Sequence, residues 1–439
     1  MKYYIITYGC QMNEADSSLM ASLLDRAGWQ EVESAAGADL IVLNTCSVRE
    51  RPEHKVYSTL GELRAWKQSN PDALLAVAGC MAQRAGEEIR RRAPHVDIVL
   101  GTRWFHHIHD LVARVRAGDG PLVVSEMEED PSAARTGNDL AADRAPLRAF
   151  VPVIRGCSNF CSYCIVPLVR GPESSRPAED IICEVKALVG RGTREVTLLG
   201  QNVLAYGRDL PGGATFPDLL RALDPIPDLW RIRFTTCHPR DVTDELVSAM
   251  AELPSVCEHI HLPIQAGEDK LLHDMNRGYT IAQYRTTVDR LRAGVPGLAL
   301  TTDIMVGFPG ETEEQFEESL RLYRCIGFDA AFTFAYSPRP GTAAGEREDE
   351  VPQDTRLARL RKLIDLQNGI TLSRNKAGVG EEAEVLVDGP AHRGEGLLAG
   401  RARNNKQVIV AGDQRLAGSL VRVKLAEPHL WGFRGHLDE

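Results

Sequence analysis

Membrane-spanning segments are missing from this 439-residue chain, in which no run approaches the roughly 18 apolar residues that a transmembrane helix needs. The opening residues, Met1-Lys2-Tyr3-Tyr4-Ile5-Ile6-Thr7, lack a signal-peptide layout and lead directly into a strand pattern. A cytoplasmic protein with no membrane partner is the expectation. An excess of positive charge is lacking too. At a net −10 the surface as a whole cannot act as a nucleic-acid glove, although a local basic path is compatible with that total. Cysteine is sparse, ten in the whole chain, which argues against a secreted disulfide scaffold and makes clustered thiols read as metal ligands or catalysts. With 43% hydrophobic and 26% charged residues, the composition is that of a globular chain long enough for about three domains.

A further absence is local and chemical. Gly156-Cys157-Ser158-Asn159-Phe160-Cys161-Ser162-Tyr163-Cys164 sets three thiols on one short loop and supplies no fourth. A structural zinc site takes four protein ligands, and the next cysteine, Cys183, lies beyond compact finger spacing in a helical pattern. Iron–sulfur sites that only carry electrons also surround each cluster with four thiolates. Three thiolates point instead to a four-iron cluster with one iron left open to bind and cleave a small molecule.

Residues 1–118 alternate strands and amphipathic helices, the signature of a parallel α/β sheet. Lys2–Tyr8, Asp39–Thr45 and Ala73–Ala78 read as strands, and a cysteine closes each one, in Tyr8-Gly9-Cys10, Asn44-Thr45-Cys46 and Ala78-Gly79-Cys80. Ligands bind outside the carboxyl ends of parallel strands, so these cysteines, 36 and 34 residues apart, can converge on one point. A fourth strand, Val96–Leu100, ends without a cysteine. Asn13, three residues before Asp16, reads as the cap of a helix that carries Leu19, Met20, Leu23 and Leu24 and stops at Gly28. Residues 119–146 read as a linker.

Residues 147–375 repeat the strand–helix unit six times, with strands near Phe150–Ile154, Glu195–Leu199, Arg231–Thr235, His259–Leu262, Leu300–Val306 and Ala331–Ala335. That count suggests a partial (β/α)6 barrel with its chemistry at the strands' carboxyl ends, where the Cys157 loop lies. A charged helix, Gln353–Asn375, closes the unit. In residues 376–439 the period changes to two, with strands at Glu384–Val387, Lys406–Val410 and Leu420–Leu425. Arg393, Arg401, Arg403, Lys406, Arg422 and Lys424 make this small all-β barrel a candidate RNA-binding module. His106, His107 and His109 read as a solvated helix face, and Cys183, Cys257 and Cys325 as packing residues.

The Cys-x3-Cys-x2-Cys loop with Tyr163 before its last cysteine resembles the radical S-adenosylmethionine superfamily. Thr7-Tyr8-Gly9-Cys10-Gln11-Met12-Asn13-Glu14, Asn44-Thr45-Cys46-Ser47-Val48-Arg49-Glu50 and Ala78-Gly79-Cys80-Met81-Ala82-Gln83 narrow the resemblance to the methylthiotransferases. It spans essentially the whole chain, including a TRAM-like C-terminal barrel, and its wording is similar to that of the members acting on isopentenyladenosine in tRNA. The resemblance implies two 4Fe-4S clusters, one on Cys157, Cys161 and Cys164 that cleaves S-adenosylmethionine and an auxiliary one on Cys10, Cys46 and Cys80 that supplies sulfur. It also implies two molecules of S-adenosylmethionine per turnover, one donating a methyl group and one yielding the radical that removes hydrogen from C2 of N6-isopentenyladenosine next to the anticodon. An aromatic C–H offers neither an acidic proton nor a leaving group, so cofactor radical chemistry suits the task.

By the same resemblance Tyr163, Gly200, Gln201, Gln265 and Asp303 contact S-adenosylmethionine, whereas Glu311 reads as a helix-start carboxylate. The implied partners are a tRNA anticodon stem-loop, a flavodoxin- or ferredoxin-type electron donor and a sulfur donor, with the enzyme a monomer. Cysteine at 237 and alanine at 266 stand where serine is usual, and Cys237 reads as a conservative small replacement. Two alternatives are methylthiotransferases acting on threonylcarbamoyladenosine or on a ribosomal-protein aspartate, which Gln11-Met12-Asn13-Glu14 argues against. An alternative of another class is an RNA-binding protein with structural metal sites.

Overall fold

The computed structural model describes residues 1–47, 50–127, 145–348 and 351–438. Its first layer is a six-stranded parallel sheet in the order Gln30–Glu31, Lys2–Thr7, Leu40–Thr45, Leu74–Gly79, Ile98–Leu100 and Leu122–Val124. The central strands, Leu40–Thr45 and Leu74–Gly79, are buried throughout, as parallel strands covered on both faces must be. One face packs on Met20 and Leu24 of helix Gln11–Arg26 and on Ile108 and Leu111 of helix Ile108–Ala117. The other packs on Val56 and Leu60 of helix Glu50–Ser69 and on Met81 and Ile89 of helix Cys80–Arg92. Leu122–Val124 falls inside the stretch read as a linker, and a strand of three residues is too short for periodicity to separate from loop. Residues 128–144 of that stretch lie outside the described residues.

The second unit holds six parallel strands in two three-stranded sheets. One runs Arg231–Phe234, Glu195–Leu199, Arg148–Pro152; the other runs His259–His261, Ala299–Val306, Ala330–Ala335. Cys257 N donates to Ile232 O at 3.0 Å and Cys237 N to His261 O at 3.2 Å, which joins the two sheets into one arc. The first and last strands do not pair among the described residues, so the result is a partial barrel around one continuous apolar core. Capping boxes at Thr215/Asp218, Thr280/Gln283 and Thr312/Gln315 start three of the helices, as the Thr-x-x-Asp/Gln spelling predicts.

Helix Gln353–Ala377 leads into a closed five-stranded barrel ordered Glu382–Pro390, Leu397–Ala402, Gln407–Ala411, Gly432–Leu437, Leu420–His429. Two of these strands, Leu397–Ala402 and Gly432–Leu437, escape the sequence reading because glycines at 400, 432 and 435 break their alternation. The barrel docks on the amino ends of the six-strand arc. Arg231, first in its strand and fully buried, donates to Arg401 O at 2.7 Å and to Glu384 Oε1 at 2.9 Å. Arg233 donates to the carbonyls of Arg403 and Ala402, and Arg403 returns a forked contact to Glu258. Lys406 pairs with Asp329 at 3.2 Å. Arg403 and Lys406 are therefore held at an internal interface, and the basic path read from the sequence shrinks to its exposed members, Arg393, Arg422 and Lys424.

Candidate functional site

The three strand-end cysteines meet at the carboxyl edge of the first sheet. Cys10 is the N-cap of helix Gln11–Arg26, Cys46 follows strand Leu40–Thr45, and Cys80 opens helix Cys80–Arg92. Close approach of these turns depends on glycine. A Cβ on Gly9 would lie 2.5 Å from Cys46 Cβ, and one on Gly79, whose φ is 98°, would overlap the Thr45 carbonyl oxygen. Asn13, predicted to cap the helix, lies inside it and is fully buried. Its amide donates to Tyr8 O and Thr45 O, each at 2.8 Å, and so ties together the turns that carry Cys10 and Cys46.

Hydrogen bonding to Cys46, with help from the Arg170 cation and against partial burial, lowers the Cys10 thiol to about 6. Burial raises Cys80, with Arg170 opposing. Cys46 and Cys80 are buried and Cys10 is exposed, so the triad opens on one side.

The second triad sits on the loop after strand Arg148–Pro152. Gly156 adopts φ 76°, and a side chain there would overlap the Pro172 carbonyl. Gly156 N donates to Gln201 Oε1 at 2.5 Å, Cys157 N to Gly171 O at 3.0 Å and Cys164 N to Cys161 O at 2.9 Å. Asn159 Nδ2 reaches Cys157 Sγ at 3.5 Å, and Arg277 Nη1 donates to Cys161 Sγ at 3.2 Å. Burial raises Cys157, and burial together with the neighbouring Cys161 pushes Cys164 up to about 12. Arg277 also donates to Pro263 O at 2.9 Å, so it joins the loop to the segment that ends at Gln265.

The other residues read from the sequence are distributed around this loop. Tyr163 packs against the arc's core. Gln201 holds the loop backbone, and a Cβ on Gly200 would overlap the Ile154 side chain, so both positions have structural work in place. Gln265, at φ 70° and buried, donates its N–H to Asp303 O at 2.9 Å. Asp303 stands mid-strand, not at a strand end, because Ala299–Val306 is the longest strand of the arc; its Oδ1 lies 3.4 Å from His261 Nε2. Glu311 precedes the Thr312 cap and is not a helix-start charge; it accepts from Gly307 N at 2.7 Å and pairs with Arg359 at 3.0 Å. Cys237 and Cys257 are buried as packing residues, but Cys183 and Cys325 are exposed, on the solvent side of their helices.

Sequence reasoning missed Arg155, Arg170 and Arg277, whose partners lie far away along the chain. Asp16 had a signal, because it shares a helical face with Asn13, Met20 and Leu24 and is fully buried.

Each site offers three thiols with a guanidinium near them, donor chemistry that fits an iron–sulfur cluster with one iron left without a protein ligand. Among the described residues no set of three or more His, Cys, Asp and Glu side chains is arranged to hold a single metal ion, the two cysteine triads included.

Residues 2–101 match the family described as Uncharacterized protein family UPF0004, and residues 151–323 match the Radical SAM superfamily. The chain is 49% identical over 438 residues to the tRNA-2-methylthio-N(6)-dimethylallyladenosine synthase of Moorella thermoacetica, covering 99% of this chain and 98% of that protein. It is 46% identical to the synthase of the same name from Carboxydothermus hydrogenoformans, covering 99% of each. Among solved structures, the radical S-adenosylmethionine methyltransferase TsrM from Kitasatospora setae superposes with a TM-score of 0.57 at 13% identity, covering 90% of this chain and 79% of that one. The cobalamin-dependent radical enzyme OxsB superposes at 0.53 with 12% identity, over 83% and 56% of the two chains; both likenesses speak to the fold alone. Near-complete coverage at this identity decides the lineage: the chain belongs to the radical SAM family of tRNA-2-methylthio-N(6)-dimethylallyladenosine synthases.

Proposed function

We propose that this protein is a tRNA methylthiotransferase that attaches a methylthio group to C2 of N6-isopentenyladenosine next to the anticodon. The observation that carries the reading is the pair of three-cysteine sites, each short of a fourth ligand and both at strand carboxyl ends. Cys157, Cys161 and Cys164 would hold one 4Fe-4S cluster and Cys10, Cys46 and Cys80 the other. When bound, the clusters would supply the electron for reductive cleavage of S-adenosylmethionine and the sulfur chemistry of the transfer.

The protein's own residues then bind, orient and exclude water. Arg277 and Asn159 donate to thiolates of the Cys157 loop and stabilise their charge. Gln201 fixes the loop's entry at Gly156. Tyr163, Gly200, Gln265 and Asp303 would contact S-adenosylmethionine, of which two molecules would be used per turnover. The exposed Phe160, at the tip of the cysteine loop, and Phe332, on the last strand of the arc, present aromatic surface suited to an unstacked base. The C-terminal barrel offers Arg393, Arg422 and Lys424 to the RNA backbone.

A low-potential donor of the flavodoxin or ferredoxin type and a sulfur donor complete the system, with the enzyme acting as a cytoplasmic monomer. Among the described residues no helix is long and apolar enough to cross a membrane.

Nucleoside mass analysis of tRNA from cells lacking the protein tests this. The 2-methylthio derivative should vanish while isopentenyladenosine accumulates. An unchanged 2-methylthio-isopentenyladenosine peak overturns the assignment.

A further inference from the structure

Asp16 belongs to neither cysteine triad, yet it is completely buried and gripped by two arginines of the second unit. Arg155 Nη1 donates to Oδ1 at 2.6 Å, and Arg170 Nη2 donates to Oδ2 at 2.8 Å. These arginines flank the radical-forming loop, Arg155 two residues before Cys157 and Arg170 six residues after Cys164. Arg170 is itself only 5% exposed. It also donates to Asn13 Oδ1 at 3.1 Å and places its cation near Cys80 and Cys10. Asn13 in turn holds the carbonyls of Tyr8 and Thr45 next to Cys10 and Cys46. One carboxylate is thereby joined to both ends of one cysteine loop and, through Arg170 and Asn13, to the turns that carry Cys10 and Cys46, with the Arg170 cation near Cys80.

Stability alone does not account for such an arrangement. Taking the Asp16 and Arg170 charges out of water is costly, and packed apolar side chains of similar volume serve a protein interior as well or better. Burial pulls the Asp16 carboxyl upward, but Arg170 and Arg155 outweigh it and hold the group below its ordinary value, so the charge persists. Transfer between two centres is sensitive to their relative placement. The charge and hydrogen bonds around cluster sulfurs also set reduction potentials.

We propose that Asp16 is a positioning residue for methylthio transfer: with Arg155 and Arg170 it locks the radical-forming loop against the auxiliary cysteine site and balances the Arg170 cation beside Cys80. The proposal rests on the methylthiotransferase reading. Asp16→Asn keeps the shape and removes the negative charge, leaving the Arg170 cation unbalanced next to the auxiliary site. Arg170→Met removes the cation and leaves the carboxylate.

The full-length protein, reconstituted with both clusters, separates these effects in a redox titration followed by electron paramagnetic resonance. The auxiliary-site potential should rise in Asp16→Asn, fall in Arg170→Met and stay near wild type in Arg170→Lys. A merely structural role would not produce opposite signs. In turnover assays Asp16→Asn should still cleave S-adenosylmethionine to 5′-deoxyadenosine while methylthio product falls about 100-fold, the scale expected of a misplacement near 1 Å. If Asp16→Asn fails to retain iron, Arg155→Lys carries the test, because Asp16 stays paired with Arg170 and only the loop anchor is weakened; a raised ratio of 5′-deoxyadenosine to product is then expected. Potentials moving in one direction, or a product ratio unchanged in both Asp16→Asn and Arg155→Lys, overturn the proposal. A wild-type protein that makes no methylthio base instead overturns the underlying function, and the potentials still report on the charge balance.

Discussion

Cys10 is the exposed member of its triad and the one whose thiol is lowered, to about 6, chiefly because Cys46 donates a hydrogen bond to it. The thiolate is the nucleophile. In protein stripped of iron, alkylation of Cys10 should be slow below about pH 6, where the thiol is protonated, and fast above it; peptide mass mapping after brief iodoacetamide pulses measures the midpoint. A midpoint near the ordinary 9.0 would show that the Cys46 hydrogen bond is absent in solution. The cysteines were legible in the sequence because cysteine is rare and the spacing on one loop, or at the ends of successive strands, is local information. Arg277 was not. It meets Cys161 across 116 residues, and no local pattern distinguishes it from the many surface arginines of the chain. Asn13 was misread for an instructive reason: a polar residue near a helix start has capping as its commonest use, and only the tertiary contact with Thr45 reveals the other.

At the scale of elements, helix Gln353–Ala377 illustrates what fixes a closing helix to the arc. Arg359, 7% exposed, projects from it to Glu311 at 3.0 Å and to Glu313 at 3.0 Å, while Glu311 also accepts from Gly307 N. Burial raises the Glu311 carboxyl, and Arg359 opposes that rise. Replacing Arg359 with Met leaves Glu311 buried without its cation and should destabilise the fold by about 3 kcal/mol, read from urea denaturation. Adding Glu311→Gln should recover part of that loss. Equal stability of the single and double variants would mean that the charge pair is not coupled. The helix itself was visible from its sequence, as were the long strands of the arc, because they run for several periods. Leu122–Val124, Leu397–Ala402 and Gly432–Leu437 were not, since a strand of three residues or one interrupted by glycine is defined by its pairing partners.

For the whole molecule, the two cysteine sites lie at carboxyl ends of strands and the C-terminal barrel at amino ends of the arc. The Cys157 loop and the barrel thus lie at opposite ends of the arc. The joint is polar: Arg231, Arg233 and Arg148 surround the buried Glu195, and Arg148 also pairs with Asp388 of the barrel. Arg231 makes the deepest contact, because it is fully buried and donates to both a backbone carbonyl and a carboxylate of the barrel. Arg231→Met removes these donors while Arg233 and Arg148 still neutralise Glu195, so the arc should stay folded and the barrel should loosen. Limited proteolysis should then cut faster in the short segment between helix Gln353–Ala377 and the strand that begins at Glu382. Iron content and cleavage of S-adenosylmethionine should remain near wild type, because the cysteines are at the far ends of the strands, whereas affinity for the tRNA stem-loop should fall as the barrel loses its fixed orientation. Loss of iron in step with faster proteolysis would mean instead that the barrel supports the cysteine sites through the length of the arc.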